Sequence, residues 1–238
     1  MQRKSKKLGD CTFLKSKVGA IGIGTMIVFI AMVLVAGIAA SVITQTANKL
    51  EIKAVQAGDE TKDEVGTGLR VAHIEGQIGN RNISGAWYNN TFHNLSIAVD
   101  IRAGSRDIDL STAIVEISNG TVKCILAYNT GEPNFASSVS SNGLFNTNDD
   151  SSGTNLYEQA ANTFGVVILK DGDGSASASH PVINRGDMAK LTLNVTALFN
   201  GISTRTDIWG QVIPEEGSPG VFFVRTPPVT TNDIYEIY

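Results

Sequence analysis

Hydrophobic positions along the chain change their spacing twice. From Ala20 to Ile43 they run almost unbroken, AIGIGTMIVFIAMVLVAGIAASVI, 24 residues without a charge. A helix over that run spans about 36 Å at about 1.5 Å per residue, enough to cross a bilayer. It is apolar on every face, so none of its faces is suited to water. Its 14 large apolar side chains represent about 20–40 kcal/mol of burial as an upper bound. Such a helix belongs in lipid, or in an assembly that replaces lipid.

From Ile43 the apolar positions thin out to Ala47, Leu50, Ala54, Ala57, Thr61 and Val65, one stripe of a helix. Lys49, Glu51, Lys53, Asp59, Glu60, Lys62 and Glu64 decorate the remaining faces. Gly66 and Gly68 are stop signals. The pattern predicts one helix from about Ala20 to about Val65, fully apolar in its first half and striped in its second. A transmembrane helix followed by a solvated stalk has the same pattern.

Beyond Leu69 the period becomes two. Leu95, Ile97, Val99 and Ile101 alternate with Ser96, Ala98 and Asp100, and Ala189, Leu191, Leu193 and Val195 alternate with Lys190, Thr192 and Asn194. Both segments read as half-buried antiparallel strands. Ala113–Ser118 and Thr121–Tyr128 flank Asn119-Gly120 as a hairpin with a tight turn. Phe164–Lys170 reads as a further strand, and DIWGQVI and GVFFVR form a last hairpin around PEEGSP. About seven to nine strands are expected over residues 67–238. The fold class is therefore α+β: a long N-terminal hydrophobic helix, then an antiparallel immunoglobulin-like β-sandwich.

Charge gives the first part of the chain a direction. Residues 1–19 hold six cations and one anion, a local charge of +5, whereas the whole chain is −4 and the rest therefore −9. Cations ahead of an apolar run keep the N-terminus in the cytoplasm and send the chain beyond the run outward. On these grounds the run reads as a membrane anchor, as a cleaved secretory signal with Gly37-Ile38-Ala39 as a small-x-small site, or as something else. The −9 opposes nucleic-acid binding.

One combination of residues is more specific. Lys17-Val18-Gly19 ends the basic leader, Ala20-Ile21-Gly22-Ile23-Gly24-Thr25 opens the helix, and MIVFIAMVLVAGIAASVI continues it. Residues 15–48 closely resemble the archaeal flagellins (archaellins), which are type IV pilin-like filament subunits. Gly24 stands where bacterial type IV pilins usually carry glutamate. Further on, Ile183-Asn184-Arg185-Gly186-Asp187 resembles the family's late Gly-Asp turn, and Val212–Gly217 its Pro-Glu-x-Gly element. No family motif matches about 75–160.

The resemblance implies a structural subunit of a rotating swimming filament, not an enzyme. It implies a leader, 1–19, that a prepilin-type peptidase cuts between Gly19 and Ala20. It implies a filament-core helix over 20–66, with Ile21, Ile23, Met26, Ile27, Phe29, Ile30, Val33 and Leu34 facing other helices, and an outer domain over 67–238. The implied partners are further copies and sister archaellins, a membrane assembly platform, a motor ATPase and an oligosaccharide transferase. The precursor would sit in the cytoplasmic membrane and the product in the extracellular filament. An archaeal adhesion pilin shares the leader and helix, and a surface β-sandwich anchored by one uncleaved helix shares the hydropathy; both stay open here.

Candidate chemistry is sparse. Five N-glycosylation sequons begin at Asn82, Asn89, Asn94, Asn119 and Asn194. Asn119 falls at a predicted hairpin tip and Asn194 in a predicted strand; exported members of the family are commonly glycosylated, so most sites are expected to be occupied. Cys11 would leave with the leader, so Cys124 would stand without a disulfide partner, pointing into the sandwich. Asp171 and Asp173 start like a Ca²⁺ loop but lack the later EF-hand positions, so they read as a turn. Some archaellins hold a structural divalent cation in the outer domain, which keeps both aspartates as metal candidates; no other cofactor is expected. Arg185-Gly186-Asp187 matches an adhesion tripeptide that a turn explains equally well. His73, His93 and His180 have no metal spacing, and no nucleophile elbow, P-loop or dinucleotide fingerprint occurs. The polar stretch 129–160 is expected as a solvent-facing loop on the filament exterior.

Overall fold

A computed structural model describes residues 12–83, 86–130, 134–139, 145, 156–157 and 160–238, with the backbone alone at 12–18, 20, 81–83 and 86. Residues 1–11 of the expected leader and most of the stretch 129–160 lie outside it. Two compact units divide at Gly58 and Asp59.

Helix α1 runs from Thr12 to Gly66, 55 residues, about 80 Å at the usual rise. It begins eight residues before the expected start at Ala20, because nothing in LKSKVG breaks a helix. Within the apolar run Thr25 donates its hydroxyl to the Gly22 carbonyl at 2.9 Å, and just beyond it Thr44 and Thr46 do the same to Ala40 and Val42. These hydroxyls are thus satisfied by the helix itself. At the C-terminal end the Thr67 amide still reaches the Asp63 carbonyl, and Asp63 is paired with Arg106 at 2.9 Å.

The second unit is built mainly from strands β1 (Leu69–Ile83), β2 (Ala86–Ile101), β3 (Ile108–Asp109), β4 (Ile114–Ser118), β5 (Lys123–Tyr128), β6 (Phe135–Ala136), β7 (Thr163–Lys170), β8 (Val182–Ile183), β9 (Met188–Asn194), β10 (Asp207–Ile213), β11 (Gly220–Arg225) and β12 (Ile234–Glu236). These exceed the expected seven to nine by the two-residue strands β3, β6 and β8, which are too short to show a period. Hydrogen bonding follows the order β11-β10-β4-β5-β7-β9-β2-β1-β12, with β6 beside β7 and β3 paired to β8. Strand pairing is antiparallel except at β5–β7 and β6–β7.

The β5–β7 contact is two residue pairs long, Ala127 with Thr163 and Tyr128 with Phe164. It links β11-β10-β4-β5 to β7-β9-β2-β1-β12. The order then folds over on itself, since the Leu69 amide donates to the Ser218 carbonyl at 3.1 Å just ahead of β11. Leu69, Ile97, Leu191, Val115, Ile117, Val212 and Phe222 share the core between the two halves. Strands such as β4, β10 and β11 send alternate apolar residues there, which is the expected sandwich logic.

Four local expectations are corrected. β2 and β9 are covered on both faces rather than half-buried: Asn94, Ser96, Ala98, Lys190 and Thr192 are buried beside the core residues. Part of their cover comes from the stretch expected to face solvent, whose Phe145, Leu156 and Tyr157 are buried. Thr192 donates its hydroxyl to the Leu156 carbonyl at 2.8 Å, and the Phe145 and Tyr157 rings lie 5.2 Å apart. Those apolar residues are isolated in sequence, so no periodicity marked them. Val195 belongs not to a strand but to the short helix α2 (Val195–Phe199), where the Asn194 side chain accepts from the Ala197 amide.

The expected tight turn at Asn119-Gly120 is wider than two residues. Ser118 pairs with Lys123, and the Asn119 side chain accepts from the amides of Thr121 and Val122. This Asx arrangement favours the longer loop.

Candidate functional site

The molecule's most unusual feature is the exposed first half of α1. All fourteen large side chains from Ile21 to Ile43 are between 54% and 69% exposed, among them Ile21, Ile23, Met26, Ile27, Phe29, Ile30, Val33 and Leu34. A Cβ built at Gly22, Gly24 or Gly37 would meet no atom within 4 Å. Among the described residues nothing requires glycine there; glycines on a helix surface permit close approach of another helix. Gly19 and Ala20, the expected processing positions, both lie within α1, with Gly19 exposed.

The sequons separate by burial. Asn89 is exposed near the end of the β1–β2 hairpin, and Asn119 is half-buried at the β4–β5 turn. Asn94 and Asn194 face each other across β2 and β9 and are only 3% and 9% exposed. The Asn94 amide donates to Gln77 at 2.7 Å, its oxygen has no partner among the described residues, and the Asn194 oxygen caps α2. An enzyme acting on the folded domain cannot reach either. The expectation of occupancy at most sites narrows accordingly, the side chain of Asn82 being outside the described residues.

Asp171 and Asp173 gain a third carboxylate. Oxygens of Asp171, Asp173 and Asp187 lie within 4.8 Å of one another. Asp187 is buried and accepts from the amides of Gly172 and Asn184, so the adhesion-like tripeptide turns its acid inward. Asp171 accepts from the amides of Asp173, Gly174 and Ala176, and Asp173 from Ser175 and the Asn184 side chain. Bonds led by those from Ser175 hold the Asp173 carboxyl below its ordinary range. Three clustered carboxylates fit a hard divalent cation, and the same amide bonds equally stabilise the turn without one. Sequence reading missed Asp187 as a ligand because it lies after β8, in a turn noticed for its likeness to the family's and to an adhesion tripeptide, 14 residues from Asp173.

The histidines are dispersed, His73 beside Glu75, His93 between Thr91 and Thr196, and His180 beside Asp109. Cys124 is half-buried against the core as expected, its thiol pushed up by burial and 4.0 Å from the Leu198 carbonyl. Near the C-terminus the structure explains the Pro-Glu-x-Gly element. Gly217 has φ +93°, and a Cβ there would lie 2.2 Å from the Thr67 carbonyl oxygen. Ser218 donates to that same oxygen at 2.9 Å, so this loop clasps the chain where α1 gives way to β1.

A long helix with an exposed apolar run and unused glycines, continued by a mostly antiparallel β-domain, is the arrangement of a subunit whose helix is covered by lipid or by neighbouring helices. The archaeal-type flagellin model matches residues 19–223, and the chain belongs to that family. It is a structural protein of the archaeal flagellum, an extracellular filament assembled from like subunits, and not an enzyme. It is 40% identical to flagellin B3 of Methanocaldococcus jannaschii over 224 residues, covering 93% of this chain and 96% of the relative. Flagellin B3 of Methanococcus voltae is 36% identical, with 93% and 97% covered. The crystal structure of flagellin FlaB1 from M. jannaschii superposes with a TM-score of 0.55 at 26% identity, covering 72% of this chain and 96% of that one. The archaeal flagellum of Methanospirillum hungatei gives a TM-score of 0.58 at 13% identity, covering 91% and 98%, a likeness of fold alone.

Proposed function

We propose that this flagellin builds the core of a rotating swimming filament with α1 after losing residues 1–19, while residues 67–238 form the outer layer. In this reading the basic leader holds the precursor's N-terminus in the cytoplasm, with the β-domain outside. A prepilin-type peptidase cuts between Gly19 and Ala20. The cut removes six cations that would otherwise have to cross lipid during extraction. A membrane platform and a motor ATPase add the subunit at the filament base. There Ile21 to Ile43 exchange lipid for neighbouring helices, and contacts that do not close propagate as a helix of subunits. The observation carrying this is the exposure of every large side chain of the run.

Two refinements belong to the same reading. An oligosaccharide transferase modifies Asn89 and Asn119, which are the accessible sequons among those with described side chains. A divalent cation held by Asp171, Asp173 and Asp187 ties the start of the 171–176 loop to the turn before β9.

N-terminal sequencing and intact mass of filaments sheared from cells test the reading. A start at Ala20 with a mass above the bare chain is expected. A start at Met1 would make the protein an uncleaved anchor, and a start near Ala40 would remove the core helix and overturn the mechanism.

A further inference from the structure

The outer domain has an apolar surface of its own. On the outward face of β11, β10, β4 and β5 the register sets Phe223, Trp209, Ser118 and Lys123 in one row and Val221, Gln211, Glu116 and Ile125 in the next. Trp209, Ile125, Phe223 and Val221 are 45%, 55%, 64% and 65% exposed. Between the rows lies a depression of about 270 Å³. A soluble surface seldom groups this many large apolar side chains unless it is an interface.

The charges of this face are already used. Glu116 accepts from Lys123 and from Gln211, both at 2.8 Å, and Asp207 pairs with Arg225 at 3.4 Å. The face is thus locally neutral, on a chain whose residues after the leader carry −9. Like-charged copies repel, and a self-neutralised apolar face is where they approach at least cost.

The same domain exposes two further large apolar side chains on other elements. Trp87 and Val229 are 67% and 69% exposed, and the Thr230 hydroxyl donates to the Asn90 side chain at 2.6 Å, bringing Val229 to the strand that carries Trp87. These residues belong to the β1–β2 hairpin and the C-terminal segment, not to the four strands of the first face. A filament is built from heterologous contacts, which need two unlike patches on each subunit. We propose that the Trp209–Phe223 face docks a second copy of this chain, receiving its Trp87–Val229 surface, as the outer-domain contact of the filament.

The proposal depends on filament assembly but not on how the leader is processed. Hydroxyl-radical footprinting of intact filaments, compared with full-length subunits dissociated from them, reads it directly. Trp209, Phe223 and Trp87, 45%, 64% and 67% exposed in the single chain, are expected to lose most of their modification in filaments, because the contact removes them from solvent. Equal modification in the two samples would overturn it. So would protection of Trp209 persisting in single subunits, which would mean that a glycan or the chain itself covers the face.

In cells, F223K is expected to cut filament yield about tenfold or more, while protease-resistant precursor accumulates to the wild-type level. V139K, at an exposed apolar position outside the four strands of this face, serves as the control. Wild-type filament yield from F223K, or an equal loss from V139K, would overturn the assignment.

Discussion

Lys190 Nζ lies 2.7 Å from Glu75 Oε2, a link from β9 to β1 that passes over β2. Lys190 stands opposite Ala98, and Glu75 opposite Ser96. Both β2 residues are small, so the long side chain can cross. Lys190 is only 6% exposed, and its charge is tolerated there because of this partner. Removing one member of a buried pair leaves an uncompensated charge. E75Q is expected to cost about 3 kcal/mol in urea unfolding, and the double variant E75Q/K190M to recover most of it. Equal loss in single and double variants would show that the pair is not what the face depends on.

Gly210 sits where β10 passes β4. A Cβ there would lie 2.2 Å from the Glu116 carbonyl oxygen and 2.8 Å from the Phe222 ring. Neither the strand backbone nor the buried ring can retreat cheaply. G210A is expected to lower stability by about 2–3 kcal/mol through overpacking, measured by thermal unfolding. G174A, at a turn with φ +76° and open space around it, tests backbone strain alone and is expected to cost about 1 kcal/mol.

The sequons give a prediction with opposite signs. N89Q and N119Q are each expected to reduce the intact mass by one glycan; N89Q leaves unfolding nearly unchanged, whereas N119Q also costs about 1 kcal/mol because the β4–β5 loop loses its Asx bonds from Thr121 and Val122. N194A is expected to remove no glycan but to cost about 1 kcal/mol, because α2 loses its N-cap. Glycopeptide mapping that finds Asn94 or Asn194 modified would place the modification before folding of the domain.

Asp171, Asp173 and Asp187 make the cation measurable. If it binds, a chelator is expected to lower Tm by about 3–6 °C, with recovery on adding Ca²⁺. D187N is expected to abolish that sensitivity. A Tm indifferent to both chelator and Ca²⁺ would leave the cluster as a turn held by amide hydrogen bonds.

Stability should fall on the acid side. Hydrogen bonds from Lys123, then Gln211, hold the Glu116 carboxyl low. Burial pushes the Asp109 carboxyl upward, but bonds from Ser111 and His180 outweigh it and leave it low. A carboxyl lowered in the folded state contributes stability above its unfolded pKa and loses it as pH drops through the folded value. Tm is expected to hold from neutral pH to about pH 5 and to decline below about pH 4. On the alkaline side, burial and then Asp109 push the Tyr128 phenol from 10.0 up to about 12. Its phenolate absorbance should therefore appear late, and the stability it contributes below pH about 10 should be lost as pH rises towards about 12.

The sequence by itself determined the helix, its apolar and striped halves, the chief hairpins and the family. These depend on local period and on a contiguous run of residues, 15–48, that need no partner to be read. It also placed β10 and β11 to the residue, because strong alternation is bounded there by PEEGSP. Tertiary structure alone decided what depends on contacts between distant segments. It buried the polar faces of β2 and β9 under Leu156 and Tyr157, took Asn94 and Asn194 out of reach, and brought Asp187 to Asp171 and Asp173. It also neutralised Glu116 with Lys123 and Gln211, which left Trp209 and Phe223 on an apolar face. Period shows which side of a strand is polar; only packing determines what covers that side.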